Sequence, residues 1–114
     1  MSTLVADHDV FAVSISFSED AMTVSLDDGR TISVPLAWYP RLLAGTPEER
    51  MRFSLIGDGE GIHWPDLDED ISVEGIVAGR RSAESASSLA RWLSRRQGVS
   101  NRRRQRRSDA PGDT

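Results

Sequence analysis

The sequence predicts an α+β fold, a small antiparallel β-meander packed with short helices, followed by a C-terminal helix and a disordered basic tail. Three observations predict it. Apolar and polar residues alternate in three successive stretches between Phe11 and Leu36, the period-two signature of half-buried strands. Helix-start signals then recur at short intervals from Pro40 to Ser72. From Ser82 the apolar period lengthens to that of a helix. At 114 residues the chain can bury one modest core.

The strands come first. Phe11, Val13, Ile15 and Phe17 alternate with small or polar residues, as do Met22, Val24 and Leu26, and then Ile32, Val34 and Leu36. Each set is expected to point into the core. Glu19-Asp20 joins the first pair and Asp27-Asp28-Gly29 the second. Asp28-Gly29 is a favoured hairpin dipeptide because glycine accepts positive φ.

Short helices follow. Pro40 suits the first turn of a helix that Gly45 ends. Thr46-Pro47-Glu48-Glu49 is a strong start: Thr46 caps, Pro47 takes the first helical position, and Glu49 closes a capping box. That helix is expected to reach about Phe53, with extended chain through Leu55-Ile56. Ile62, Trp64, Leu67 and Ile71 supply apolar anchors in a loop or short strands. Ser72 caps a brief helix that Gly79 stops.

Ser82 to Arg96 is the longest helical candidate, with Ser82 as cap and Gly98 as stop. Ala83, Ala86, Leu89, Ala90 and Leu93 form its stripe, and Trp92 sits at the stripe's edge. The expected organisation is an α+β domain over 8–80, an amphipathic helix over 82–97 and a disordered Arg-rich tail over 98–114, too polar to bury surface.

Charge is segregated. Residues 1–78 hold 15 of the 18 acids and four arginines, a net of −11, whereas residues 79–114 hold ten arginines against three acids, a net of +7. Blocks of like charge act through their summed field. With no cysteine, thiol nucleophiles, disulfides and Cys-ligated metals are excluded. The expected location is cytoplasmic. No apolar run approaches the length of about 20 residues that a membrane helix needs, and MSTLVADHD lacks the features of a signal peptide.

At WYPRLLAGTPEER (Trp38–Arg50) and GIHWPDLDEDISVEG (Gly61–Gly75) the chain resembles the bacterial and phage domain of unknown function 2442 (DUF2442). The resemblance covers about residues 10–80. It implies a small α+β domain and brings no established activity. Some relatives carry a helix-turn-helix after the domain, for which the single helix and arginine tail here are too short. Others sit in toxin–antitoxin-like gene pairs, which implies a partner protein encoded by an adjacent gene.

Gly57–Gly79 looks at first like an active site. His63 with Asp66, Asp68, Glu69 and Asp70 could hold Mg²⁺ or Mn²⁺ for phosphoryl or hydrolytic chemistry, and that is the alternative function. The spacing argues against a known site. DLDED lacks the sixth-position glycine and twelfth-position glutamate of an EF-hand, and His8 is too remote to be a second ligand. The bland reading has Asp66 and Asp68 in Asx turns, with Asp70 and Ser72 capping the next turn. Gly57-Asp58-Gly59-Glu60-Gly61 lacks the Walker lysine, and its carboxylates would repel a phosphate, so a tight turn is expected. His63-Trp64-Pro65 reads as a hydrogen-bonded histidine and a buried tryptophan pinning the loop.

The sequence therefore favours a non-catalytic binding or regulatory module, antitoxin-like or transcription-associated, with no cofactor or metal. Trp38, Tyr39, Asp66, Asp68 and Glu69 are the candidate protein-binding residues, although the two aromatics read first as core. Arg102, Arg103, Arg104, Arg106 and Arg107 are the candidate nucleic-acid contacts, through phosphates and without base specificity. A dock for an acidic protein surface and an unselected solvated tail are the competing readings of that cluster. No aromatic follows Trp92, so the tail itself offers no base stacking.

Overall fold

Alternating apolar residues build the first sheet as expected. The computed structural model describes residues 10–108, with side chains described through Gln97. β1 (Ala12–Phe17), β2 (Ala21–Leu26) and β3 (Thr31–Pro35) form an antiparallel meander in the order β1-β2-β3. Met22, Val24, Leu26 and Val34 are buried on its inner face. The Asp28-Gly29 turn joins β2 to β3, with Gly29 at φ 93°. The Arg30 N–H donates to the Asp28 carboxylate at 3.0 Å and its guanidinium lies alongside, which together hold that carboxyl below its ordinary range.

β1 departs from simple alternation. A register shift between Ala12 and Ser14 inserts one extra residue opposite β2. Such a bulge exchanges the faces on either side of it. Ala12 is consequently buried, whereas Val13, expected in the core, is 58% exposed. Phe11, Ile15 and Phe17 are half-buried.

The helix signals act as read. α1 (Pro40–Ala44) starts at Pro40 and ends at Gly45. α2 (Pro47–Met51) carries the full capping box between Thr46 and Glu49, and it ends two residues before the expected Phe53. Arg50 in α2 is buried, and its Nη1 donates to the carbonyls of Leu42 (2.9 Å) and Gly45 (2.7 Å). Those acceptors lie at the C-terminal end of α1, where helix carbonyls lack partners of their own. The Arg50 carbonyl in turn accepts the Trp64 indole N–H at 3.0 Å.

The stretch after α2 holds the main surprise. β4 (Ser54–Ile56), β5 (Gly61–Trp64) and β6 (Glu69–Ser72) form a second antiparallel three-stranded sheet in the order β4-β5-β6. Ile62 pairs with Leu55 and Ile71, which places these three on one face. Ser54, His63 and Asp70 share a row on the other face. The two sheets meet where the Ala12 N–H donates to the Gly59 carbonyl at 2.8 Å. Phe17, Phe53 and Trp64 connect them through edge and tilted ring contacts, with centroids 6.5 and 6.3 Å apart. α3 (Val73–Val77) closes the domain. Ser72 caps it by accepting from the Gly75 N–H at 2.9 Å, and Gly79 follows at φ 75°.

The chain divides into two compact units, Met1–Ser82 and Ala83–Thr114. In the second, α4 runs from Ala86 to Ser108. Its cap is Ser85, which accepts the Ser88 N–H at 3.1 Å, and not the expected Ser82, whose own N–H donates to the Trp38 carbonyl. Ala83 thus precedes the helix. The helical path also continues past Gly98 into the stretch expected to be disordered. Arginine and glutamine are good helix formers, and one interior glycine costs only about 1 kcal/mol. Residues 109–114 of the expected tail lie outside the described residues.

Candidate functional site

The Gly57–Gly79 segment is a sheet with two demanding turns. Gly57 (φ 59°) and Gly59 (φ 107°) turn the chain from β4 into β5. A side chain at Gly59 would run into the Ala12 backbone, so glycine is required there for space as well as conformation. The amides of Gly59 and Glu60 both donate to the Ile56 carbonyl, at 3.1 and 3.0 Å. Those two amides are thereby committed to the turn rather than to the N–H cradle that phosphate binding uses.

The carboxylates of the segment diverge. Asp66 accepts from Arg52 Nε at 2.6 Å, and this bond holds Arg52 more firmly protonated than usual. Asp68 adopts φ 51°, and Arg41 Nη1 reaches both its carbonyl (2.9 Å) and its carboxylate (3.4 Å). Asp70, expected as a cap, instead takes His63 Nδ1 across the β5–β6 ladder. Only Ser72 caps the following turn. Glu69 accepts the Asp70 N–H at 3.2 Å. Among the described residues no group of three or more histidines and carboxylates is placed to hold a metal ion. The residue types that suggested a catalytic cluster are parcelled out to separate partners, because Asp66 and Asp68 lie in the turn before β6 and Asp70 lies in β6 opposite His63.

Trp38 and Tyr39 have different fates. Tyr39 is buried, and its hydroxyl donates to the Arg80 carbonyl at 3.1 Å. Burial, with Glu69 adding its charge, raises the Tyr39 pKa above its ordinary value. Its side chain is therefore part of the core and offers no protein-binding surface. Trp38 is half-buried, and the Arg81 guanidinium lies over its ring, 4.7 Å from the centroid. The Ser82 N–H donates to the Trp38 carbonyl at 3.0 Å, so residues 80–82 are strapped across the Trp38-Tyr39 pair. Arg80 faces Glu74 at 3.6 Å.

That strap is the part of the site that sequence reasoning missed. Trp38 and Arg81 are 43 positions apart, and nothing in their local patterns links them. Arg102, Arg103, Arg104, Arg106 and Arg107 fall within the helical path of α4, but their side chains lie outside the described residues. In the same helix, the Arg96 guanidinium lies over the Trp92 ring at 4.8 Å.

Fold and site together define a small α+β domain of two three-stranded sheets, with Asp66, Asp68 and Asp70 each held by a different side chain, followed by an arginine-bearing helix. The chain belongs to the family described as Protein of unknown function (DUF2442), whose model matches residues 12–82. Two solved structures are similar. One is a protein of unknown function from Rhodospirillum rubrum, at 24% identity and a TM-score of 0.59, covering 67% of this chain and 94% of that one. The other is an uncharacterized protein from Chromobacterium violaceum, at 20% identity and a TM-score of 0.57, covering 80% and 89%. At these identities the likeness shows the fold alone. Comparison with curated proteins gives no match. No helix among the described residues is long and apolar enough to cross a membrane.

Proposed function

We propose that this protein is a non-catalytic binding module in two parts, an acidic domain that faces a protein partner and a basic C-terminal arm that contacts nucleic acid. The observation that carries the reading is a coincidence of boundaries. The family match ends at residue 82, and so does the first compact unit. Charge changes sign close by, with Arg80 and Arg81 opening the basic stretch at the end of the first unit. Residues 1–82 hold six arginines against fifteen acids, a net of −9, and residues 83–114 hold eight arginines against three acids, a net of +5. A fold boundary that is also a charge boundary suits a molecule with two kinds of partner.

On the acidic side, Asp66, Asp68 and Glu69 form the protein-facing surface, and Trp38, whose ring Arg81 covers, is left out of it. Asp68 supports this, since its side chain is 85% exposed despite its contact with Arg41. The partner is a protein with a basic surface, and the product of an adjacent gene is the first to test by co-purification. On the basic side, Arg102, Arg103, Arg104, Arg106 and Arg107 contact phosphates without reading bases.

Fluorescence anisotropy with labelled DNA over a salt series tests the arm. For the full-length protein, log K is expected to fall with log salt by about 0.9 per duplex phosphate contacted. A full-length variant with all five arginines changed to glutamine loses most of that slope and affinity. Equal binding by this variant overturns the nucleic-acid reading.

A further inference from the structure

The arginines of the acidic unit are not used alike. Arg30, Arg41, Arg52 and Arg80 each lie beside a carboxylate, and Arg50 is buried against carbonyls. Arg81 instead lies over the indole of Trp38, 4.7 Å from its centroid, and is itself exposed. A guanidinium on an indole leaves a flat, cationic outer surface, the kind of surface on which nucleobases stack.

We propose that the Trp38–Arg81 stack, with Arg80 beside it, is a stacking platform for one base of single-stranded nucleic acid. The proposal rests on the nucleic-acid reading of the arm and adds to it the class of ligand. Three observations support it. The platform is preorganised, because the Ser82 N–H on the Trp38 carbonyl (3.0 Å) and the Tyr39 hydroxyl on the Arg80 carbonyl (3.1 Å) hold both backbones in place. A guanidinium that can donate to a phosphate is next in sequence. Arg80 meets Glu74 only at 3.6 Å, with side chains 61% and 70% exposed, and such a surface pair is weak enough to exchange for a phosphate. Finally, the stack lies just before α4 in sequence, where the arginines that would follow a phosphate backbone begin.

The ligand must be single-stranded for a geometric reason. In a duplex both faces of an internal base are covered by its neighbours, so none is open to an indole or a guanidinium. An unpaired base offers its face, and stacking on a protein aromatic is worth roughly 1–3 kcal/mol per base. That range corresponds to about 5- to 150-fold in affinity. The arginine tail holds no aromatic, and within the first unit the fold brings Trp38 to Arg81.

The test compares oligo-dT with a duplex of equal length, using full-length protein, anisotropy and a salt series. Trp38→Leu is expected to weaken oligo-dT binding by about 5- to 150-fold, with an unchanged salt slope and unchanged duplex binding. Arg81→Gln, on an exposed side chain that leaves the core intact, is expected to weaken oligo-dT more than duplex; it remains informative if Trp38→Leu fails to fold. Wild-type affinity for oligo-dT in Arg81→Gln, or in folded Trp38→Leu, overturns the platform. If the tail glutamine variant then still loses binding, the arm reading stands alone. Equal losses on duplex and single strand in either platform variant also refute base stacking. Absence of binding to both nucleic acids by the wild-type protein removes both readings.

Discussion

The two sheets of the domain are the same size in strand number and differ in what holds them. The first has strands of six, six and five residues, and its turns are closed by neighbouring side chains such as Ser18 and Asp28. The second has strands of three, four and four residues. Ladders that short supply few backbone hydrogen bonds, so the sheet leans on anchors from elsewhere in the chain. Ala12 holds Gly59, Arg50 holds Trp64, Arg52 holds Asp66, and Arg41 holds Asp68. A long ladder follows from its local pattern, whereas a short one must be assembled by tertiary contacts.

The largest effect should come from the anchor shared by both sheets. Trp64 is fully buried, donates to the Arg50 carbonyl and touches Phe53, which touches Phe17. Trp64→Ala is expected to cost about 3–5 kcal/mol, read as a shift in the urea midpoint. A loss under 1 kcal/mol would mean the second sheet does not depend on this anchor.

Gly59→Ala tests the join between the sheets more narrowly. It adds strain at φ 107° and a collision with the Ala12 backbone, and it should cost about 1–3 kcal/mol. Gly29→Ala, at φ 93° with open space around it, serves as the control and should cost less. Equal losses would show that conformation alone matters and that the contact with β1 adds nothing.

The smallest effect is the most specific. Tyr39 is the only tyrosine, and the chain has neither lysine nor cysteine. Its titration is thus isolated on the alkaline side below the arginine range. Because the folded-state pKa is raised, the neutral form is favoured in the fold, and its stabilising effect is complete below the unfolded value of about 10. Stability should then fall as pH rises through that value toward the folded pKa. Tyrosinate absorbance should titrate later in the native protein than in urea. Tyr39→Phe should cost about 1 kcal/mol at neutral pH for the lost bond to Arg80 and flatten the alkaline decline. A decline unchanged in that variant would assign it to another cause.

Much of the fold was legible along the chain. The strand alternation, the Asp28-Gly29 turn, the capping box at Thr46 and the Ser72 cap all rest on residues within four positions of one another. The candidate site was legible mainly as a family signature. The carboxylates of Asp66–Asp70 announced themselves by composition, but their partners, Arg52, Arg41 and His63, lie 7 to 27 positions away. Composition could gather them into one imagined cluster only because it has no direction.

By itself, then, the sequence determined the elements whose physics is local: strand alternation, helix starts, glycine turns and the charge boundary near residue 80. The tertiary structure decided everything that depends on where a side chain points after the chain has closed. It turned the Gly57–Gly79 segment into a sheet, moved Val13 to the outside through a one-residue bulge, buried Tyr39 and laid Arg81 on Trp38. Contacts between residues tens of positions apart become favourable only once the fold has met the entropy of bringing them together, and no local pattern records that outcome.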